Sequence, residues 1–538
     1  MILNKIKSYI PVAVAVLTMG TMTTSCTKDL DVENINPQQT SKLDQDALLN
    51  KIYSSFVLTG QTGPDGNKDI QDIDEGRSDL YRKSWEMQEF PTGEASWQWD
   101  DTGLPELLNK TWGADNASSV GLYYRLFFSI TLCNYYLDEV EDDGSTDAKQ
   151  KRAEVRFIRS LLYYNVMDLY GNAAFVEHVS TEPGVRYTRP DYYKYIESEL
   201  LAIDADLAAP GANQYGRVDK VAAWLLLSRL YLNAEVYTGT AQWAKAAEYA
   251  KKVMDSDYRL NTTTINGWSA YQMLFMGDNG ETDAAYEAIF PILQDGLKTT
   301  SWGTTQFLCA GCFDSDMHAN PNNPDATNGL SGQMWGGNRT RPQLIQKFFP
   351  NLDAPQIASY EMPAVAGDDR AIFDGIGREI NNLDRATFKN GYAVAKFVNF
   401  KTDGSSGHDA TFMDADFFFF RTAEAYLTFA EATARQNGGS ATPEGINAIN
   451  AIRDRAHATK KAGYSLNDIL DEWAREFYFE GRRRVDLIRF GKFGGNTDYI
   501  WQWKGGTYAG RNFDEYRNIY AIPAAQLSAY NNEQNPGY

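Results

Sequence analysis

Residues 221–234 read VAAWLLLSRLYLNA, and residues 241–254 read AQWAKAAEYAKKVM. In the first segment Trp224, Leu227, Ser228 and Tyr231 recur at the spacing that keeps one face of a helix, with Ser228 as the small position where a second helix can come close. Thr238-Gly239-Thr240 supplies a turn, and Trp243, Ala246, Ala247, Ala250 and Val253 line the facing side of the next helix. The pattern W-x2-L-S-x2-Y followed by an alanine-rich helix is close to the tetratricopeptide repeat. Such a pair cannot bury its apolar face alone, so further pairs are expected elsewhere in the chain.

Candidates lie on both sides. Residues 118–143 and 148–171 form one long apolar hairpin across Gly144-Ser145-Thr146, and residues 188–207 add a helix with Pro190 near its start, where proline is tolerated. Residues 417–436 turn at Asn437-Gly438-Gly439 into Pro443–His457, whose Ile446, Ile449 and Ile452 make a facing stripe. Residues 466–493 complete the helical part. The expected fold is mainly α: divergent tetratricopeptide-like hairpins at about 118–256 and 417–492, forming a scaffold around a large irregular insertion with short β-strands. Irregular sequence runs from about 59 to 112 and from about 262 to 413, where residues 387–400 alternate well enough for a strand hairpin. Long irregular stretches in a compact protein are usually functional.

The 538 residues are 43% hydrophobic and 13% aromatic, enough for a large core. A net charge of −20 argues against nucleic acid or an anionic membrane surface as partner. Residues 1–25 read as a processing signal: Lys5 and Lys7 precede a short apolar run from Val12 to Met19, shorter than the ~20 residues of a membrane span. Thr23-Thr24-Ser25 then lead to Cys26, which is expected to become the lipidated N-terminus of a mature domain spanning 26–538. Among the other cysteines, Cys309-Ala-Gly-Cys312 could be a redox pair, half a zinc site or a local disulfide; without a βαβ context or a second ligand pair, a structural disulfide or two inert thiols is expected. Cys133, in an aromatic helix, is expected to be buried.

Several segments together resemble the SusD/RagB family of outer-membrane nutrient-binding lipoproteins. They are RAEVRFIRSLLYYNVMDLYG (152–171), LLLSRLYLNAEVYTG (225–239), RTAEAYLTFAEA (421–432), INAIRDRA (449–456), DEWAREFYFEGRRRVDLIRFG (471–491) and the ending IPAAQL…QNPGY. The match runs in order along essentially the whole mature chain. Loop segments 59–76, 81–99, 291–299 and 501–506 further resemble the family's starch-binding founding member. The resemblance implies capture of an α-glucan at the cell surface and its delivery to a SusC-type TonB-dependent transporter, without catalysis. A different glucan, such as a β-glucan or dextran, is the alternative ligand.

Sugar binding needs flat aromatic faces and a few fixed polar groups, each stacked ring contributing on the order of 0.5–1.5 kcal/mol. Trp97 and Trp99, two apart in extended sequence, are expected to share a face. Trp302 and Trp335 lie in glycine-rich loops, whereas Trp224, Trp243 and Trp473 sit on helical faces and are expected to pack. By resemblance, Asp74, Arg82, Trp97, Trp99 and Trp302 match the glucan-contacting region. Leu330 stands where the starch binder has another tryptophan, and Thr102 near where it has an asparagine; Trp335 is the candidate replacement ring.

Residues 278–281 (DNGE) and 414–416 (DAD) are either calcium ligands or solvated turns; the resemblance implies a calcium site there, with Asp278 and Asp416 as ligands and no other cofactor. Arg482, Arg483 and Arg484 could hold phosphate but are expected to pair with Glu472, Glu476 and Glu480. The four histidines form no ligand spacing. The competing reading is a glycoside hydrolase, which needs two opposed carboxyl groups; Glu94 with Asp100 or Asp101 is the candidate pair. A third, a peptide-binding tetratricopeptide scaffold, fits poorly with the outer-membrane address and the aromatic insertion.

Overall fold

The apolar periodicity that marks the hairpins becomes a continuous stack of helices in the structure, a computed structural model describing residues 43–71, 73–530 and 533–538. The signal segment and Cys26 lie outside the described residues. Residues Asp46–Tyr538 make one unit.

The chain enters through α1 (Gln45–Ser54), α2 (Leu80–Glu89) and α3 (Leu104–Asn109). Next comes the first half of the wall: α4 (Ala117–Glu139), α5 (Thr146–Tyr170), α6 (Arg189–Ile203), α7 (Lys220–Leu232), α8 (Ala234–Thr238) and α9 (Trp243–Met254). The insertion carries α10 (Thr304–Ala310) and the short α11 (Pro342–Ile345) and α12 (Met362–Ala366). Then α13 (Ala423–Gln436), α14 (Pro443–Arg455), α15 (Leu466–Phe477), α16 (Arg483–Arg489) and α17 (Ala524–Tyr530) follow. Local chemistry sets the helix starts. Thr188 and Asp191 form a reciprocal capping box on α6, and Ser465 and Asp468 do the same on α15. Gly239 takes a left-handed conformation (φ 74°) to end α8, at the expected turn.

Helices α4 to α7 pack each on the next, α9 packs on α7, and both α14 and α15 pack on α13; α9 packs against α13 across more than 160 intervening residues, so the wall continues past the insertion. The expected small position, Ser228, is buried and donates to the Leu225 carbonyl at 2.8 Å. Trp224 and Trp243 pack against the core and Trp473 is buried within it. The wall and its irregular insertion are the mainly α scaffold expected from the hairpin pattern.

Strands β4 (Ala288–Ile292) and β8 (Phe417–Arg421) pair antiparallel where the insertion meets the wall. A four-stranded sheet, ordered β1-β5-β7-β6, joins distant parts of the irregular sequence: β1 (Ala95–Ser96), β5 (Arg339–Thr340), β7 (Ala393–Val394) and β6 (Phe373–Asp374). The remaining pair is β2 (Ala173–Phe175) with β3 (Val185–Tyr187).

Two expectations are corrected. Residues 387–400 do not fold as a strand hairpin; only Ala393–Val394 are in a strand, paired to β5 and β6 from elsewhere, because the flanking backbone bonds to Phe275 and Asn328. Residues 59–112 are not irregular throughout, since all ten residues of α2 are helical and buried. Polarity along α2 does not mark a solvent side, because Arg82, Lys83, Glu86, Gln88 and Glu89 are buried together with its apolar residues. Its charges are paired inside: Lys83 Nζ reaches Glu86 at 2.6 Å and Arg82 Nε at 3.3 Å. Burial opposes ionisation of Glu86, but Lys83, Arg77 and Arg82 together hold it down to about 2.

A buried ionic network closes the far side of the insertion. Arg421 lies 2.7 Å from Glu476, 3.1 Å from Glu287 and 2.8 Å from Glu480, while Arg370 lies 2.8 Å from Glu472 and 3.2 Å from Glu476. Arg455 also pairs with Glu476 and Glu287. The arginine triplet therefore does not pair with Glu472, Glu476 and Glu480 as expected. Arg482 meets Asp486 at 3.1 Å, Arg483 meets Glu94 at 3.0 Å and Arg484 meets Asp168 at 2.8 Å.

Candidate glycan-binding surface

The start of α2 fixes one edge of the candidate site. Asp79 caps the helix through the Arg82 amide at 2.9 Å and also accepts from the Thr304 hydroxyl at 3.1 Å, tying the 302–304 loop to α2. Burial pushes the Asp79 carboxyl up to about 6. A side chain at Gly303 would put its Cβ 1.8 Å from Asp79 Oδ2, so only glycine permits this approach. Arg82 is buried, lies over the Phe307 ring and donates to the Trp302 carbonyl at 3.3 Å. It positions Trp302 rather than facing solvent. The Trp302 indole N–H donates to Asp65 Oδ2 at 2.8 Å.

The second edge is built at the end of α10. Backbone amides of Trp335, Gly336, Gly337 and Asn338 donate to the carbonyls of Ala310, Phe313, Gly311 and Gly311 at 2.6–2.9 Å. Cys309 and Cys312 are thus part of the turn that holds the Trp335 loop; both are buried free thiols, raised by burial, and not a disulfide. Cys133 is likewise buried, and burial lifts its thiol to about 12. The Trp335 indole N–H donates to Gln333 Oε1 at 3.0 Å.

Trp99 leaves β1 and lies across Gly337, where a Cβ would meet its ring at 2.9 Å. The result is a row of half-buried rings. Trp99 and Trp335 have centroids 6.4 Å apart, Trp335 and Trp302 6.1 Å apart, and Phe412 continues the row 4.8 Å beyond Trp302. Trp97 is not in it. That ring is 0% exposed, packed edge-on under Trp99 at 4.2 Å and against Phe90 and Phe307. Alternation brought the two side chains together as expected, but one stands on the other, so Trp97 supports the surface without sharing it.

Leu330 turns inward and is buried, leaving Trp335 as the ring between Trp99 and Trp302. Asp74 is exposed at the start of a short 3-10 turn (Glu75–Arg77), and Thr102 is exposed nearby in sequence. Arg77 lies 3.7 Å from Asp101 and 3.8 Å from Glu86, linking α2 to the residues that follow Trp99. Asp65, Arg77 and Phe412 were not singled out by the sequence. Asp65 sits in a Pro-Asp-Gly turn, a surface signal with no indication that its carboxylate meets Trp302.

Glu94 is buried 3.0 Å from Arg483 and beside Glu89, and burial holds both glutamates above the ordinary carboxylate range. It is therefore packed inside, while Asp100 is exposed and Asp101 partly so. The pair required for hydrolysis is not assembled at the ring surface.

The expected calcium residues also have other occupations. Asp278 Oδ2 accepts from Thr402 N and Oγ1 at 2.8 and 2.6 Å; Asp416 accepts from Gln294 N at 2.7 Å and Tyr215 Oη at 2.8 Å. Among the described residues no group of three or more His, Cys, Asp or Glu is placed to hold a metal ion. Calcium takes six to eight oxygens; of these two carboxylates, Asp278 keeps one buried oxygen, Oδ1, without a hydrogen-bond partner. Burial pushes the Asp416 carboxyl up to about 7.

A helical-repeat wall with a large irregular insertion is a fold this chain shares with known proteins. Residues 376–538 match the SusD family, and residues 28–232 match a family described as starch-binding and associating with the outer membrane. The chain is 40% identical to the starch-binding protein SusD of Bacteroides thetaiotaomicron, over 98% of this chain and 97% of that one. It is 32% identical to a SusD-like protein of Bacteroides ovatus, over 79% of this chain and 72% of the other. Among solved structures, surface glycan-binding protein A from Bacteroides uniformis superposes with a TM-score of 0.64 at 20% identity, covering 91% of this chain and 98% of that one. A structure with xylogluco-oligosaccharide gives 0.66 at 16% identity, covering 90% and 96%. This chain belongs to the SusD family.

Proposed function

We propose that this protein is a non-catalytic cell-surface lipoprotein that captures starch and maltooligosaccharides for a SusC-type TonB-dependent transporter of the outer membrane. The observation that carries the reading is the row Trp99–Trp335–Trp302, three half-buried indoles, two fixed by hydrogen bonds and Trp99 by packing on Trp97 and Gly337. Rings fixed in this way lose little entropy on stacking against successive sugars. Starch is favoured by the identity to the starch-binding relative. The inward turn of Leu330, with Trp335 in its stead, favours a second reading in which the same surface takes a different glucan.

Cys26 is the proposed lipid attachment point. Tethering confines the binder beside its transporter, where even a weak site becomes useful through effective concentration. The burial of Glu94 supports binding without hydrolysis. Calorimetry of the purified protein with maltooligosaccharides, dextran, laminarin and inulin oligosaccharides tests the ligand, with reducing-end release followed in parallel. Saturable heat with maltooligosaccharides is expected, its tighter component lost in Trp302→Ala. Steady release of reducing ends would overturn the binding reading, and preference for laminarin or dextran would replace starch with the other glucan. Normal surface display of Cys26→Ala would refute the anchor.

A further inference from the structure

We infer that the cleft between Tyr215 and Tyr286 is a second carbohydrate-binding site, built for a short neutral oligosaccharide and separate from the indole row. It rests on the glycan-capture reading above and adds a site to it. The cleft has a volume of 470 Å³, within the ~300–1,000 Å³ usual for small-ligand sites. Tyr215 and Tyr286 line it with rings 38% and 47% exposed.

Both rings are held from behind. The Tyr215 hydroxyl donates to the buried Asp416 at 2.8 Å, and Asp416 is itself held by the Gln294 amide. The Arg259 guanidinium lies 3.7 Å from the Tyr286 ring centroid, and the Arg259 amide donates to the Tyr286 carbonyl at 3.0 Å. One face of Tyr286 is thereby covered by a cation, and the exposed remainder of the ring faces the cleft.

The polar side chains around these rings divide: Asn213 and Arg217 are bonded to Glu154 and Tyr258 to Asp219, while three others are free of such bonds. The side chains of Gln214, Asp257 and Arg259 make no hydrogen bond or ion pair among the described residues. Together they offer amide, carboxylate and guanidinium groups with no net charge, which suits a neutral sugar's hydroxyls better than an anion or cation. The charged cleft between α4, α5 and α6 differs in this respect. There Arg156 is bonded to Glu199 at 2.7 Å and Arg159 to Asn134 at 3.0 Å. The tyrosine cleft thus has what the indole row has: pre-positioned aromatic faces bordered by free polar groups.

Maltoheptaose titrated into the purified protein by calorimetry tests this. The variants are Trp302→Ala/Trp335→Ala, the same pair with Tyr286→Ala, the same pair with Arg259→Ala, and Tyr286→Ala alone. The indole-row pair is expected to retain weaker saturable binding, which Tyr286→Ala or Arg259→Ala then lowers by up to about tenfold. Tyr286→Ala alone leaves the tighter site within about twofold, since the two sites are separate. Wild-type binding that vanishes entirely in the indole-row pair overturns the second site and leaves the first intact. Residual binding untouched by both Tyr286→Ala and Arg259→Ala also overturns it. Absence of binding in the wild type overturns the glycan reading and the second site with it.

Discussion

Trp302 is held at both ends by residues from different parts of the chain: its indole N–H by Asp65 at 2.8 Å, and its carbonyl by Arg82 at 3.3 Å. The Asp65 contact is exposed, so removing it releases the ring without opening the core. Asp65→Ala is expected to weaken maltooligosaccharide binding by about fivefold, the equivalent of one hydrogen bond of about 1 kcal/mol. Asp65→Asn keeps an accepting oxygen and most of the affinity. Calorimetry on both variants, with thermal melts to show unchanged stability, separates a clip on the ring from a general loss of fold.

Trp97 and Trp302 divide support from contact. Trp97→Ala empties a fully buried site and is expected to cost about 3–5 kcal/mol in denaturant unfolding. Trp302→Ala leaves stability nearly unchanged and removes the tighter binding. Equal stability losses in the two variants would contradict the half-buried placement of Trp302.

The ionic network gives the fold an acid-sensitive component. Burial opposes ionisation of Glu472, but Arg370, Arg475 and Arg453 hold it down to about 2, and Glu476 is also depressed by Arg455, Arg421 and Arg370. Carboxylates with depressed folded values add stability that is present above about pH 4.5 and lost as pH falls toward 2. Glu476→Gln strands buried guanidinium charge and is expected to cost about 3–5 kcal/mol at pH 7. The gap in melting temperature between wild type and variant then narrows as pH falls below 4.5, which melts across pH 2–7 measure.

Neither cysteine chemistry nor calcium is expected to stabilise this chain. Cys309 and Cys312 are buried free thiols, so reductant leaves the melting temperature unchanged and a thiol reagent reacts only on unfolding. Asp278 and Asp416 are engaged by Thr402, Gln294 and Tyr215, so EDTA likewise leaves the melt unchanged. A drop with EDTA that calcium restores would require a site made from other groups.

Apolar periodicity marked parts of the helical wall where a helix presents one face to its neighbours, as Ala246, Ala247, Ala250 and Val253 do along α9. Family resemblance in residues 471–491 and in the loop segments identified the protein's relatives and pointed to Trp99, Trp302 and Trp335. Those are properties of residue type and order, which the linear chain carries in full.

Other outcomes depended on which distant residues meet. Helix α2 was missed because its charged residues, Arg82, Lys83, Glu86 and Glu89, are buried by partners far away in the chain, so its polarity reads as loop. Trp97 and Trp99 have the same chemistry and nearly the same context, yet only folding placed Gly337 under one and Phe90 and Phe307 around the other. Arg82 was expected to face a sugar and instead reaches back to the Trp302 carbonyl, 220 residues away. The sequence by itself determined the helical wall, the family and the supply of aromatic residues, since these follow from local spacing and composition. Tertiary structure alone decided which rings reach solvent, because exposure is set by contacts between residues far apart in the chain.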